Sequence, residues 1–162
     1  MTKLRAILDK VVEGLSVAII VLMVLLVSWQ VFARYVLNSP SSFSETLTRY
    51  LFVWLVIVTA SYAFGKRDHM CISFLKDKLP DHMKYAVNIL IEILTLLFSA
   101  TIMVYGGFTM MKMQMVQMDS NLHIPMGVIY SVIPVCGVII LFYAICNMEE
   151  EFQNIKMQKG ES

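Results

Sequence analysis

GLSVAIIVLMVLLVSWQVFA, residues 14 to 33, is a run from Gly14 to Ala33 with no charged side chain. At 1.5 Å per residue it makes a helix about 30 Å long, the thickness of a bilayer's hydrocarbon core. Three further charge-free stretches follow: Tyr50 to Gly65, Ile93 to Met111 and Ile124 to Met148. The second spans if Arg49 sits at its rim with the head group drawn toward water. The pattern predicts an all-α membrane protein with four transmembrane helices, over about residues 14–37, 43–65, 84–112 and 124–149, in a single integral membrane domain covering 1–162. Composition agrees: 58% hydrophobic and 15% charged residues with a mean hydropathy of +0.70 do not suit a soluble surface. Thirteen Lys and Arg against twelve Asp and Glu leave no basic field for nucleic acid. A cleaved signal peptide does not suit the first stretch, which is long for an apolar leader core and ends in Trp29-Gln30-Val31-Phe32 instead of small residues.

Basic residues set the expected orientation, because loops rich in Lys and Arg stay in the cytoplasm. Ten of them precede the first span, lie between the second and third, or follow the fourth; only Arg34, Arg49 and Lys112 fall on the other side. Both termini are therefore expected to be cytoplasmic. Trp29, Tyr35, Tyr50, Trp54, Tyr105 and Tyr130 then form an interfacial belt toward the outer ends. Two short interfacial amphipathic helices are expected on the cytoplasmic side. One covers about 2–13, where Leu4, Ile7, Leu8, Val11 and Val12 recur at helical spacing beside Lys3, Arg5 and Lys10. The other covers about 69–79, ending at Pro80.

His69, His82 and His123 all fall in the joints, whereas a four-helix cytochrome needs its axial ligands inside helices. Cys71, Cys136 and Cys146 form no CxxC pair, and the last two lie about 15 Å apart along a helix, too far to bridge. No cofactor is expected in this chain. The methionines around Met111, Met113 and Met115 suit Cu(I) in principle, but in a chain with 13 methionines they read better as a pliable packing surface.

Glu92 is the one acidic residue well inside a span. Asn88, Glu92, Thr95 and Ser99 follow steps of four, three and four, so they form a polar stripe, continuing toward Gly106, that should face protein. The stripe either joins helices by hydrogen bonds or supplies a coupling carboxylate for a proton or sodium ion. The first reading is favoured, since a single carboxylate without other charges in the membrane is a poor ion site.

The joint between spans one and two carries the most specific chemistry. Ser42 and Glu45 fit a helix-capping box, Glu45 lies one turn before Arg49, and Arg34 is close enough in the hairpin to join them. A rim ion pair of this kind contributes at most about 1 kcal/mol in water. A partly lipid-shielded triplet is harder to break and can define a docking surface.

These features, in this order, resemble the small membrane subunit, the Q subunit, of tripartite ATP-independent periplasmic (TRAP) transporters. The resemblance runs over about residues 10 to 150, through Phe32-Ala33-Arg34-Tyr35, Glu45-Thr-Leu-Thr-Arg49, Trp54, Thr59-Ala60-Ser61, Gly65-Lys-Arg67-Asp-His69, Pro80, Ile124-Pro125 through Tyr130, and Pro134. Family members often carry a Trp and paired acids before the second helix, where this chain has Phe43 and Ser44 beside Glu45. The resemblance implies a non-enzymatic scaffold in the bacterial inner membrane. Its partners would be membrane lipid, a large multi-span M subunit holding the substrate and sodium sites, and a periplasmic substrate-binding protein. The cargo would be an organic acid such as sialic acid or a dicarboxylate. Arg34, Glu45, Arg49, Trp54, Asn88 and Glu92 are the candidate interface or structural residues. The residues alone leave a rival open: an autonomous four-span transporter using Glu92 as its coupling carboxylate.

The orientation is testable by thiol labelling in intact cells. A membrane-impermeant reagent is expected to reach the cysteine of a Ser120→Cys variant and not that of a Lys76→Cys variant; the reverse pattern sinks the topology.

Overall fold

The computed structural model describes residues 2–39, 41–66 and 81–160. The interfacial segment expected over 69–79 lies outside the described residues, as do Arg67, Asp68 and Pro80. Helix α1 covers Thr2–Tyr35, α2 Ser42–Lys66 and α3 Asp81–Phe98. The third span continues as a π-helix over Ser99–Gly106 and then as α4, Gly107–Gln114. The fourth comprises α5, Met126–Tyr130, and α6, Val132–Gly160. The described residues thus hold four segments long and apolar enough to cross a membrane: Arg5–Tyr35, Ser42–Lys66, Val87–Gln114 and Met126–Glu149. Among the described residues the regular structure is all helical, apart from an isolated bridge between Met118 and Pro125.

The helix expected over 2–13 and the span expected over 14–37 are one helix of 34 residues, about 51 Å long. Sequence explains the continuity. The less exposed positions of α1 are Leu8 together with Arg5, Asp9, Val12, Ser16, Ile19, Met23, Leu26, Gln30 and Ala33, the latter nine at alternating steps of four and three. That spacing keeps one narrow seam against a neighbour along the whole helix, with no change of face at Gly14.

Helix α2 packs on α1 and on α6, and the third span packs on the other side of α6. The chain is therefore two antiparallel hairpins whose second helices, α2 and α6, run side by side in the same direction. Tyr50 lies by Met126, Trp54 by Ile129 and Gly65 by Tyr143. The fourth span is innermost, with 39% of its apolar window buried against 11% for each of the other three.

Third and fourth spans meet through small residues. Ser99 Oγ donates to the Gly137 carbonyl at 2.6 Å. A methyl group on Gly137 would stand 2.8 Å from Met103 Cβ, one on Gly107 2.9 Å from Ile133 Cγ2, and one on Gly127 2.5 Å from the Met111 carbonyl oxygen. These pairs fix an antiparallel register that also brings Glu92 and Asn147 to one depth. The polar stripe does not reach Gly106, which is exposed; Gly107 takes its place. The π-helix is the reason, since its wider turn adds one residue between Ser99 and Gly107. The fourth span is also not the single helix expected over 124–149. It is interrupted at Ser131, three residues before Pro134.

Glycine substitution separates close packing from open surface. Gly127→Ala is expected to destabilise the chain by about 1 to 3 kcal/mol, because backbone atoms block the new methyl. Gly14 has nothing within 4 Å of such a methyl, so Gly14→Ala should stabilise by about 0.5 to 1 kcal/mol through helix propensity. Thermal melting in lipid nanodiscs checks both signs.

Candidate functional sites at the two ends of the bundle

At the end carrying the α1–α2 turn, a polar network ties all three neighbouring segments together. Gln30, on the seam of α1, donates through Nε2 to the Ser44 carbonyl at 2.9 Å and to Thr48 Oγ1 at 2.7 Å. Ser44 and Thr46 are buried. Asn121 in the connection between third and fourth spans donates through Nδ2 to Thr46 Oγ1 at 2.7 Å. Asp119 organises that connection. Its Oδ1 accepts the Asn121 and Leu122 amides, both at 2.8 Å, and its Oδ2 accepts the Tyr50 hydroxyl. The turn closes with the Asp119 amide on the Ile124 carbonyl at 3.0 Å and the His123 amide on the Asp119 carbonyl at 3.1 Å. Asn38 and His123 take left-handed backbone conformations, φ 51° and 55°, which short polar side chains tolerate best.

The cap of α2 falls one residue earlier than the expected Ser42. Ser41 Oγ accepts the Ser44 amide at 3.4 Å, and Ser44 Oγ returns a bond to the Ser41 carbonyl at 3.0 Å. Ser41 is the non-helical residue before Ser42 and so has the geometry of an N-cap. Glu45, freed from capping, pairs with Arg49 at 3.6 Å, the two side chains being 70% and 69% exposed. Among the described residues Arg34 enters no ion pair, so the expected triplet is a pair plus a separate exposed cation. Trp54 has a specific role: its Nε1 donates to the Ile129 carbonyl at 3.0 Å, just before the interruption at Ser131. Ser131 Oγ donates to the Val128 carbonyl at 2.6 Å. Together they satisfy carbonyls at a break that lipid would leave without donors.

At the opposite end, Arg5 donates to the Gly65 carbonyl at 2.8 Å, in the last turn of α2 where a cation also complements the helix dipole. Tyr143, fully buried, donates from its hydroxyl to Asp9 Oδ1 at 2.6 Å, and its ring lies against Gly65. One turn further toward this end, Glu92 is 7% exposed and Asn147 1%, with Asn88 half-buried nearby on α3. All three interact with their surroundings. Among the described residues no group of three or more His, Cys, Asp or Glu side chains could hold a metal ion.

Sequence reasoning singled out Arg34, Glu45, Arg49, Trp54, Asn88 and Glu92; the structure adds Gln30, Thr46, Tyr50, Asp119 and Asn121 at one end and Arg5, Asp9 and Tyr143 at the other. A signal existed for some of them. Gln30 and Asp9 lie on the seam of α1, and Asp119-Ser-Asn121 is a turn-forming sequence.

A family model described as "Tripartite ATP-independent periplasmic transporters, DctQ component" matches residues 23–154. The chain belongs to this family. Among DctQ relatives, the sialic acid TRAP transporter small permease protein SiaQ of Vibrio cholerae is 32% identical over 103 residues, 64% of this chain and 60% of that one. The chain thus spans less than two thirds of that relative's length. A putative TRAP transporter small permease protein of Haemophilus influenzae is 26% identical over 140 residues, 86% of each chain. The sialic acid TRAP transporter permease protein SiaT of Haemophilus influenzae is 25% identical over 133 residues, 82% of this chain but only 21% of its own.

The Asp119 clamp has a defined pH signature. The Tyr50 hydroxyl, followed by the Leu122 and Asn121 amides, holds the Asp119 carboxyl below the usual carboxylate range. A group so depressed contributes stability above its unfolded pKa of about 3.9, and the contribution is lost as pH falls through the lower folded value. Wild type is therefore expected to melt above an Asp119→Asn variant by a constant margin between about pH 5 and 7, the margin closing only below about pH 4. A margin that already shrinks between pH 7 and 5 contradicts the assignment.

Proposed function

We propose that this DctQ-family chain is the small scaffold subunit of a TRAP transporter, supporting a large multi-span M subunit in sodium-driven, binding-protein-dependent uptake of an organic acid such as sialic acid or a dicarboxylate. The observation that carries this reading is the match to SiaT, where the segment equivalent to this chain makes up about a fifth of a longer permease polypeptide. A unit found inside a larger permease is suited to work beside one when encoded separately. The sialic acid names of two relatives favour that cargo.

The physical chemistry of the chain supports the same division of labour. A carboxylate crossing lipid needs compensation from cations or half-helix N-termini at mid-membrane. The innermost positions here are instead filled by Tyr143, Ile140, Cys136, Ser61 and Ser99, each less than 2% exposed. Substrate and sodium sites accordingly belong to the partner. With the termini in the cytoplasm of a bacterial inner membrane, the Gln30, Asp119 and Asn121 network lies on the periplasmic side. There the exposed Glu45–Arg49 pair and Arg34 are available to a partner subunit or a substrate-binding protein.

Reconstitution distinguishes the scaffold from the autonomous transporter. The purified chain alone in liposomes is expected to take up no more sialic acid or dicarboxylate than empty liposomes, whereas the chain with its large partner and binding protein under an inward sodium gradient takes up substrate. Uptake by the chain alone returns Glu92 to the role of coupling carboxylate.

A further inference from the structure

An outward-facing groove runs beside the seam of the first hairpin. Ile20, Met23, Val24, Val27 and Ser28 of α1 form one wall and Leu55 of α2 the other, and its volume is about 320 Å³. The one polar lining group is occupied, since Ser28 Oγ donates to the Val24 carbonyl at 2.8 Å within α1. The groove therefore offers hydrocarbon to hydrocarbon and asks for no hydrogen bond. From Ile20 to Ser28 it covers about 12 Å of α1. It ends just short of Gln30, which bonds to Thr48 and closes α1 on α2.

The occupant follows from what lies beyond that end. Ile20, Val24, Val27, Val31 and Arg34 follow steps of four, three, four and three, so the groove face of α1 continues to Arg34. Arg34 stands six residues, about 9 Å, beyond Ser28. It is exposed and, among the described residues, enters no ion pair, while Glu45 is already paired with Arg49 at 3.6 Å. Leu55 lies about 9 Å along α2 from Arg49, the charged residue at the rim. Half of a hydrocarbon core is about 15 Å, so the groove belongs to the leaflet on the side of the α1–α2 turn. An uncompensated guanidinium at the rim thus stands above a dry slot.

We propose that the groove holds one acyl chain of an anionic glycerophospholipid of that leaflet, with the lipid phosphate on Arg34. A guanidinium presents paired N–H donors that match phosphate oxygens, and the contact is charge-assisted. One cation suits a head group with one phosphate. Size favours a lipid chain over a protein helix. The volume spread over the groove's length gives a cross-section of about 27 Å², against about 80 Å² for a helix 10 Å across. Binding does not require the transport reading, because both walls and the cation belong to this chain.

Native mass spectrometry of the purified full chain, titrated with phosphatidylglycerol in detergent, tests it. Wild type is expected to retain one lipid, and Arg34→Gln to bind it about tenfold more weakly. Lys112→Gln, which removes a cation on the third span, leaves binding unchanged. Val24 is 60% exposed, so Val24→Trp can fill the groove without repacking the bundle; it should weaken binding by a similar factor at an unchanged melting temperature. Phosphatidylglycerol carrying a diazirine on its acyl chain should label residues 20–28 and Leu55 above the exposed Leu94 and Ile102. In membranes holding the whole assembly, a photo-crosslinker at Val24 is expected to capture lipid. Labelling spread evenly over the exposed apolar positions, or unchanged binding in Arg34→Gln or Val24→Trp, overturns the proposal. Capture of another protein or of a second copy at Val24 overturns it as well, by giving the groove a different occupant.

Discussion

The close approach of the third and fourth spans is the constraint from which the rest of the arrangement follows. Lipid offers no hydrophobic drive for helices to associate, so contact depends on backbones coming near enough for dispersion and for the few hydrogen bonds available. Gly107, Gly127 and Gly137 permit that approach, and Ser99 adds a bond to a backbone carbonyl inside it. With the fourth span held on one side by the third, its other side receives α2 through Gly65 against α6 and Trp54 on α5. Helix α1 then completes the bundle by its seam.

Polar chemistry is concentrated at the two ends and serves to fasten the hairpins. Gln30 closes the first hairpin on itself, while Tyr50 and Thr46 reach the connection of the second. At the far end Asp9 on α1 receives Tyr143 of α6 directly. A DctQ-family chain built this way has its interior occupied by its own side chains, Tyr143, Ile140 and Cys136 among them.

The four spans were legible because charge-free stretches of this length have few other destinations, and the family resemblance was legible because its motifs recur in order. The details that escaped depend on contacts distant in sequence. Nothing in Ser99-Ala-Thr-Ile-Met-Val-Tyr-Gly106 announces a π-helix; it arises because the flanks answer to different parts of the fourth span. Ser41 and Ser42 are equally good caps on paper, and geometry chose the first. Trp54 reads as an interfacial aromatic, and only the interruption at Ser131 gives its ring nitrogen a backbone carbonyl to bond. Asp119 lies in a short polar joint where many residues would be tolerated, and Tyr50 marks it out only once α2 and the joint are side by side.

The distribution of sequence separations also orders the protein's biogenesis. Gln30 finds Ser44 and Thr48 within 14 and 18 residues, so the first hairpin can satisfy its seam before the second has been synthesised. Tyr50 and Trp54 must wait for acceptors 69 and 75 residues later, and Asp9 for a donor 134 residues away. Loop closure over such distances is slow compared with closing a hairpin. A ribosome-bound chain therefore passes through a stage in which a finished helical pair carries an open flank, with Trp54 at its centre, ready for the second pair to arrive sideways through the bilayer.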